Sequence, residues 1–347
     1  MWTGTPVFLE DLEQLTACKF IPWAELNGKT VFITGATGLI GYTLVSALLY
    51  YNKIYDAGIR VIALVRDLEQ ARAKFGEQLA EGCNLSFACG AVEELPEIEG
   101  QIDCIVHGAC PTASNFFLQH PVETIQIITE GTKNVLEMAR KKHVFGMVYL
   151  SSMEVFGEVR QRKELHEEDL GYIDLLLPRS SYSEGKRLAE NMCCAYASQY
   201  QVPVTIARLA QTFGPGVARD DKRVFAYMTR CAMNREDICL NTNGAKENMY
   251  LYTTDAVSAI LLLLLKGDRG AAYNVGNPET YCSVKEMAEQ VAAGLGEGKI
   301  SVIIRCGSSA LYPSESFLKL DIAKLRGLKW KPVYTLPAMF RRMWMCF

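Results

Sequence analysis

The chain has 347 residues, of which 49% are hydrophobic and 22% are charged, and its formal net charge at pH 7 is −3. This composition predicts a soluble globular protein. Because there is no basic excess to meet phosphates, it argues against nucleic acid as a partner. The longest apolar run, Ala259–Leu265, is too short to cross a bilayer, so we expect no membrane partner.

The twelve cysteines are scattered through apolar segments, and no signal peptide precedes them. We therefore expect buried, reduced thiols in a cytoplasmic protein rather than disulfides. Cys83 and Cys89 are not at ligand spacing and the four histidines are dispersed, so we expect no metal site.

The first elements along the chain are an N-terminal extension, a strand and a helix. Residues 1–27 are rich in Leu, Phe and Trp and predict a short helix and strap packed on the domain. Val31–Thr34 is a β-branched and aromatic run, typical of a buried strand. A helix is predicted from Tyr42 to about Lys53, and a glycine-rich turn joins the strand to it.

This turn, GATGLIG, predicts a dinucleotide site. Gly35 makes the tight turn, Gly38 leaves room for a pyrophosphate beside the backbone, and Gly41 lets the helix lie close to the sheet. The helix N-terminus adds free N–H groups and a partial positive charge. The cofactor-binding residues expected here are Gly35, Thr37, Gly38, Leu39, Ile40 and Gly41.

The end of the next strand, Arg60–Val65, bears on the choice of cofactor. NAD-specific proteins place an acid there for the ribose hydroxyls, but here Val65 is followed by Arg66 and Asp67. Arg66 could bind a 2′-phosphate, which favours NADP. Alternatively, Arg66 is solvated or stacks on the adenine while Asp67 binds the ribose, which favours NAD.

Strands and helices alternate in the following part of the chain. A helix is predicted at 68–79, strands at 84–89, 104–107, 146–150 and 204–208, and further helices at 122–142 and 182–200. Alternation of this kind predicts an α/β fold, a Rossmann-type doubly wound parallel sheet with both faces covered.

Gly- and Pro-containing breaks after residue 210 predict a smaller C-terminal substrate-binding α/β region. We assign residues 28–210 and returning segments near 246–275 to the Rossmann domain, and 211–245 and 276–347 to the smaller region. The tail Phe340–Phe347 is expected to dock as a terminal helix.

The catalytic chemistry is predicted by Tyr182 and Lys186, which are four residues apart and so share one helix face. A phenol is a poor base at neutral pH, but a neighbouring ammonium and an oxidised nicotinamide both favour the phenolate. Ser152, at the end of the preceding strand, is placed to bind the substrate hydroxyl that Tyr182 deprotonates. His107 is expected to pack and hydrogen-bond rather than act as a base.

These motifs and others in the same order resemble the extended short-chain dehydrogenases/reductases of the NAD-dependent epimerase/dehydratase family. The resemblance extends from about Lys29 to Pro332 and is closest to UDP-glucuronate decarboxylases, then to dTDP-glucose 4,6-dehydratases. It rests on Gly35–Gly41, Asp103–Pro111, Gly131–Asn134, Ser151–Gly157, Arg179–Cys193, Thr212–Pro215 and Tyr273–Pro278.

The resemblance implies NAD as cofactor, a homodimer, and oxidation of a nucleotide sugar at C4 to a 4-keto intermediate that loses CO₂, loses water or is epimerised. Glu154 matches the glutamate of the decarboxylases and dehydratases, whereas Met153 replaces the acid of the dehydratases. Ala109 is expected at the cofactor and Cys110 in the loop over it. The adenine-side acid of the family is Ala91 here.

Three departures concern the substrate, because the arginines of the family fall on Asn248, Gly216 and near Leu318. Residues that could hold the substrate instead are Cys110, Gln211, Arg219, Arg223, Lys246 and Asn248. We therefore expect poor handling of UDP-glucuronate. Two alternatives remain: an NADPH-dependent ketoreductase on an activated sugar or polyol, and a catalytically silent binding protein of the same fold.

Overall fold

The structure is a computed structural model that describes residues 4–79, 83–112, 114–305 and 316–347. Its strands are β1 (Thr30–Thr34), β2 (Arg60–Val65), β3 (Leu85–Cys89), β4 (Cys104–His107), β5 (Gly146–Ser152), β6 (Glu164–Leu165), β7 (Val204–Leu209), β8 (Gln211–Phe213), β9 (Ile238–Leu240), β10 (Glu247–Tyr252), β11 (Ala272–Val275), β12 (Asn277–Ser283), β13 (Val302–Ile304) and β14 (Phe317–Leu320). Its helices are α1 (Pro6–Thr16), α2 (Leu39–Tyr55), α3 (Leu68–Phe75), α4 (Ser114–Gln119), α5 (Pro121–Lys142), α6 (Ser180–Tyr200), α7 (Val224–Asn234), α8 (Thr253–Lys266), α9 (Val284–Gly294), α10 (Ala323–Gly327) and α11 (Leu336–Trp344).

The main sheet has seven parallel strands among the described residues, in the order β11-β7-β5-β4-β1-β2-β3. The strand order reverses between β1 and β4, and in such sheets the crevice beyond the carboxyl ends at the reversal holds the ligand. The predicted Rossmann-type α/β fold is confirmed, and the turn after β1 lies at this crevice.

Burial on both faces explains why the strands of this sheet form. Every residue of β1, β4 and β7 is buried. On one face the strands form a hydrophobic core with α2 and α8, and on the other with α5 and α6. Strand β5 extends two residues beyond the predicted end, because Ser151 and Ser152 pair with Arg208 and Leu209 of β7. That extension fixes the position of Ser152.

The smaller region is built on a second sheet in the order β12-β10-β14-β6, with β8 paired to β10. A separate core of aromatic and methionine side chains supports it. Strands β6 and β10 lie in this sheet, although the sequence analysis placed their residues with the Rossmann domain. Local pattern did not show this, because membership of a sheet depends on long-range pairing.

The two chain ends meet on this scaffold. Asp11 of α1 is 1% exposed and accepts hydrogen bonds from Tyr252 Oη at 2.6 Å, Tyr334 Oη at 3.0 Å and Arg342 Nε at 3.0 Å. Arg342 is on α11, whose apolar face is buried. The N-terminal helix and the terminal helix are therefore held together by a buried carboxylate.

The described cysteines are free thiols. The expectation of burial holds for Cys104, Cys193, Cys231 and Cys282, whereas Cys89 and Cys194 are exposed because they lie at a strand end and on the outer face of α6. Among the described helices, none is long and apolar enough to cross a membrane.

Candidate active site

At two of its glycines, the turn after β1 comes so close to other backbone atoms that a side chain would not fit. Gly35 has φ +73°, and a Cβ there would lie 2.7 Å from the carbonyl carbon of Gly108, just after β4. A Cβ on Gly41 would collide with the carbonyl oxygen of Gly35. Gly41 was expected to bring the helix close to the sheet. Its close contact is instead with the turn itself, so both glycines shape the loop.

Gly38 differs from these two because it is exposed and is the N-cap of α2. A Cβ on Gly38 would meet only the Gly35 carbonyl oxygen, at 3.2 Å. The amides of Leu39, Ile40 and Gly41 open the helix and have no acceptor within it. The open side of Gly38 and these amides form a cradle that suits a pyrophosphate, as expected of this turn.

Thr34 joins the glycine turn to the loop after β4. Its Oγ1 accepts hydrogen bonds from the amides of Gly108 at 3.2 Å and Ala109 at 3.1 Å, and lies 2.8 Å from His107 Nδ1. The other ring nitrogen of His107 lies 3.2 Å from Thr132 Oγ1. Burial, with a smaller contribution from Lys186, lowers the pKa of His107 to about 3. His107 is therefore a neutral hydrogen-bonding residue at this corner.

On the adenosine side the structure separates Arg66 from Asp67. The Asp67 carboxylate caps α3, accepting the Gln70 amide at 2.9 Å, whereas the Arg66 side chain is exposed. Val65 is buried at the end of β2. The alternative in which Asp67 binds the ribose hydroxyls is weakened, because one carboxylate oxygen is engaged by its own helix.

The residues predicted for catalysis lie together at the carboxyl end of β5. Ser152 ends that strand, and its hydroxyl hydrogen-bonds Tyr182 and accepts the Glu154 amide at 3.2 Å. Tyr182 and Lys186 are both buried on the first turns of α6. The Lys186 ammonium donates to the Leu150 carbonyl at 2.7 Å and lies 5.8 Å from the centre of the Tyr182 ring.

The protein groups alone do not lower the pKa of Tyr182. Burial raises that pKa well above its usual value, the Cys110 thiol and Glu154 add to the rise, and the Ser152 hydrogen bond opposes it. Lys186 was expected to favour the phenolate, but its ammonium is turned to the Leu150 carbonyl. The remaining expected source of a lower pKa is the positive ring of an oxidised nicotinamide.

Two neighbours of Tyr182 make contacts that the sequence analysis did not predict. Phe117 of α4 stacks on the Tyr182 ring at 4.3 Å between centroids and 14° between planes. Cys110, expected over the pyrophosphate, contacts Lys186, and burial raises the pKa of its thiol. No local pattern predicts Phe117, because its contact with Tyr182 is made across the fold.

A buried ion pair between Glu190 and Arg208 connects α6 to β7 and β5 next to the catalytic residues. Glu190 of α6 receives the Ser151 hydroxyl at 2.5 Å and two guanidinium nitrogens of Arg208, one at 3.0 Å and one at 2.7 Å. Both side chains are less than a tenth exposed. The signal for this network was present in the sequence, since Arg208 is the one charged residue of a predicted buried strand.

Glu154 is at the more open edge of the cluster. Its carboxylate lies 3.7 Å from Arg179 Nη1, and both side chains are about a third exposed. Met153, by contrast, is buried in the large core. Glu154 can therefore reach a bound substrate, whereas position 153 offers no acid to it.

The expected substrate residues do not form one cluster. Asn248 of β10 is 5% exposed, lies beside Leu318 of β14 in the paired register, and its Oδ1 has no hydrogen-bond partner. Two of the positions where the family has arginine are thus cross-strand neighbours. Gln211 of β8 pairs with Tyr250, which follows Asn248 by two residues in β10. At these two paired positions the chain has Asn and Leu where the resemblance implies arginines.

The remaining candidates for anion binding differ in exposure and in pairing. Arg223 is paired with Asp221, with its Nη2 2.6 Å from Oδ2. Arg219 is exposed and Lys246 is half-buried. Gly216 has φ +96°, a backbone conformation that an arginine there would adopt only with strain. A cavity of about 670 Å³ lies along residues 158–172 and includes none of the predicted site residues.

Comparison with known proteins places this geometry among nucleotide-sugar enzymes. The model of the NAD dependent epimerase/dehydratase family matches residues 31–276. UDP-glucuronic acid decarboxylase 1 of Xenopus tropicalis is 29% identical over 336 residues, covering 94% of this chain and 75% of that protein. UDP-glucuronic acid decarboxylase 6 of Arabidopsis thaliana is 34% identical over 192 residues, covering 55% of this chain and 54% of that protein.

The dTDP-glucose 4,6-dehydratase of Bacillus anthracis, solved in complex with NAD, has the same fold. Its TM-score is 0.73 at 21% identity, covering 92% of this chain and 96% of that one. The chain spans about half of the plant relative and three quarters of the frog relative.

Proposed function

The chain belongs to the NAD-dependent epimerase/dehydratase family, and from this membership we propose that it modifies a nucleotide sugar through oxidation at C4 to a 4-keto intermediate. The observation that carries the proposal is the position of Tyr182, which is buried near Ser152, Lys186 and Cys110 of the loop after β4. A phenol held in this way can take a proton from a sugar hydroxyl at the mouth of the crevice.

The glycine turn fits a nicotinamide dinucleotide. The cradle of Gly38 and the first amides of α2 would hold the pyrophosphate, and Lys186 would hold the nicotinamide ribose. Bound there, the dinucleotide supplies the acceptor for the C4 hydride. NAD is the cofactor of the family, and the Bacillus anthracis structure contains NAD.

Each catalytic side chain has a distinct task. Ser152 hydrogen-bonds the C4 hydroxyl and orients it toward Tyr182, which takes its proton. Lys186, anchored on the Leu150 carbonyl, would hold the nicotinamide ribose, and the positive ring of an oxidised nicotinamide would stabilise the Tyr182 phenolate. Glu154, at the open edge, can hold or move a proton on the sugar once C4 is a ketone. Because Met153 carries no acid, loss of water is the least supported fate of that ketone.

The substrate is a nucleotide-linked sugar or related activated molecule whose phosphates are not held as in UDP-glucuronate decarboxylases. Asn248, Leu318 and Gly216 leave the expected anion site without its arginines. We also propose that the protein is a homodimer, since α5 and α6 expose apolar side chains such as Val122 and Leu188. Sedimentation equilibrium checks that assignment.

The test is turnover of a panel of UDP-, dTDP-, GDP- and CDP-sugars with NAD and NADP, with products identified by mass spectrometry. We expect one sugar nucleotide to be converted by the wild type and bound but not converted by Tyr182→Phe. Tyr200→Phe, at the exposed end of the same helix, is the control and should retain activity. Binding of no sugar nucleotide, or full activity of Tyr182→Phe, would contradict the proposal.

A further inference from the structure

Lys186 is a buried ammonium on a helix whose two acids are both engaged with arginines. The residue is 3% exposed. Glu184 of α6 pairs with Arg187 at 3.2 Å, and Glu190, the other acid of that helix, pairs with Arg208 at 2.7 Å. Burial of an ammonium costs free energy unless other groups compensate its charge. For Lys186 these groups come from β5 and from the loop after β4.

Three groups contact the Lys186 ammonium. It donates to the Leu150 carbonyl at 2.7 Å, hydrogen-bonds the Cys110 thiol, and lies 4.7 Å from the centre of the Tyr149 ring. The Tyr149 ring is thus closer to it than the Tyr182 ring, whose centre is 5.8 Å away. An aromatic face attracts a cation at this distance, and the attraction is stronger where both are shielded from water.

Tyr149 is held in place by the main sheet. It is 2% exposed on β5, which is paired on one side with β4 and on the other with β7. The His107 ring lies 5.5 Å from the Tyr149 ring between centroids, and the two nitrogens of His107 contact the hydroxyls of Thr34 and Thr132. The aromatic face beneath Lys186 therefore has a fixed position relative to the crevice.

The hydroxyl of Tyr149 does not account for a tyrosine at this position. Its Oη is buried and has no hydrogen-bond partner among the described residues. A buried phenol usually finds such a partner, and one without a partner costs free energy. The interaction that remains for the side chain beside Lys186 is the one made by its ring.

An ammonium has three N–H groups to donate. The Leu150 carbonyl accepts one and the Cys110 thiol is placed to take a second, which leaves one for a ligand in the crevice. We propose that Tyr149 is a positioning residue, whose ring fixes the Lys186 ammonium so that its remaining N–H is presented to the nicotinamide ribose. This inference rests on the dinucleotide site of the proposed function and adds to it a residue that does not touch the cofactor.

The first test is an NMR measurement on the protein without cofactor. Protons above an aromatic face are shifted upfield by the ring current, so lysine labelled with ¹³C at Cε reports the contact. The Lys186 signal is identified by its loss in Lys186→Met. We expect it upfield of the exposed lysines in the wild type and in Tyr149→Phe. A wild-type signal among those of the exposed lysines would overturn the inference, and this result needs no variant at position 149.

The second test is calorimetric binding of NAD⁺ to variants whose circular dichroism is native. Tyr149→Phe keeps the ring and removes the hydroxyl without a partner, so it should bind NAD⁺ as the wild type does. Tyr149→Met keeps an apolar side chain without an aromatic face. It should lose about 10-fold in affinity, because the ammonium is no longer fixed for its hydrogen bond to the ribose.

Tyr273→Met is the matched control. Tyr273 is also buried, and Lys324 Nζ lies 4.4 Å from the centre of its ring, but it is on β11, which β7 separates from β5. This variant should keep the NAD⁺ affinity of the wild type. An equal loss in Tyr273→Met would show a general effect of removing a buried ring and would overturn the inference.

A double-mutant cycle shows whether Tyr149 acts through Lys186. In Lys186→Met, the further change Tyr149→Met should alter NAD⁺ affinity by less than about 2-fold, because the group that the ring positions is gone. A 10-fold loss that persists in that background, or unchanged affinity of Tyr149→Met alone, would overturn the inference and leave the proposed function standing. Failure of the wild type to bind NAD⁺ would contradict both.

Discussion

Replacing Asn248 by arginine tests why UDP-glucuronate should be a poor substrate. That substrate brings a carboxylate and a diphosphate, about three negative charges, into a partly dry site. Asn248 is buried beside Leu318, and its amide oxygen has no partner. The unpartnered atom of the Asn248 side chain is an acceptor, which an anion cannot use, whereas Asn248→Arg adds a guanidinium that only donates.

The expected gain follows from the bonds that an arginine can form. A hydrogen bond to a charged group contributes about 1.5–3 kcal/mol, which corresponds to about 10- to 150-fold in dissociation constant. Reaching the phosphates from β10 places some of the arginine stem among apolar side chains, so we expect a gain near the lower end, about 10-fold. Asn248→Met has a similar unbranched stem without charge and should not improve binding.

The assay is calorimetric binding of UDP-glucuronate together with release of CO₂ and formation of UDP-xylose. Thermal unfolding of both variants checks that the fold is kept. Asn248→Met removes a buried oxygen without a partner, so it should be no less stable than the wild type. Efficient formation of UDP-xylose by the wild type with a micromolar Michaelis constant would refute this reasoning. Equal affinity of the Arg and Met variants would do so as well.

Three further predictions follow from other parts of the structure. Gly38→Val should abolish dinucleotide binding in calorimetry, because the branches of the valine side chain enter the cradle. Its circular dichroism should stay native, because the new Cβ meets only the Gly35 carbonyl. Unchanged affinity would show that the pyrophosphate lies elsewhere. Asp11→Ala should lower the free energy of unfolding in urea by about 3–5 kcal/mol, because it leaves the largely buried Arg342 without its main partner. A loss below about 1 kcal/mol would show that α1 and α11 are held together by apolar contacts alone. Burial raises the pKa of Asp255 to about 7, although hydrogen bonds from the backbone N–H groups of Tyr334 and Val333 lower it. Between the pKa of the unfolded chain and this value, the carboxyl is protonated in the folded state and ionised in the unfolded state. The free energy of unfolding should therefore fall by about 4 kcal/mol as the pH rises from about 4 to about 7. In Asp255→Asn this fall should be smaller, and an equally steep fall in the variant would contradict the prediction.

Much of the Rossmann core could be predicted because its signals are local. The run Val31–Thr34, the glycines that follow and the helix after them lie within one short stretch, and the strand from Arg60 to Val65 has its predicted bounds. The spacing of Tyr182 and Lys186 needed only helical periodicity to place both on one face. Capping of α3 by Asp67 was also readable, since Gln70 follows three residues later.

Contacts made across the fold could not be predicted in this way. Phe117 reaches Tyr182 only because α4 and α6 meet, and Cys110 reaches Lys186 only because the loop after β4 lies beside α6. The pairing of β10 with β14, which sets Asn248 beside Leu318, joins segments far apart in sequence. The raised pKa of Tyr182 comes mainly from burial of the phenol, on whose ring Phe117 stacks, with a further contribution from Cys110.

The central claim is that this site oxidises C4 of a nucleotide sugar, and trapping the ketone tests it most directly. The sugar nucleotide converted in the panel is mixed with wild-type protein and quenched with sodium borodeuteride during turnover, and the sugar is analysed by mass spectrometry and NMR. We expect deuterium at C4 with the wild type and none with Tyr182→Phe. Conversion with no deuterium incorporated, or with deuterium only at another carbon, would contradict it.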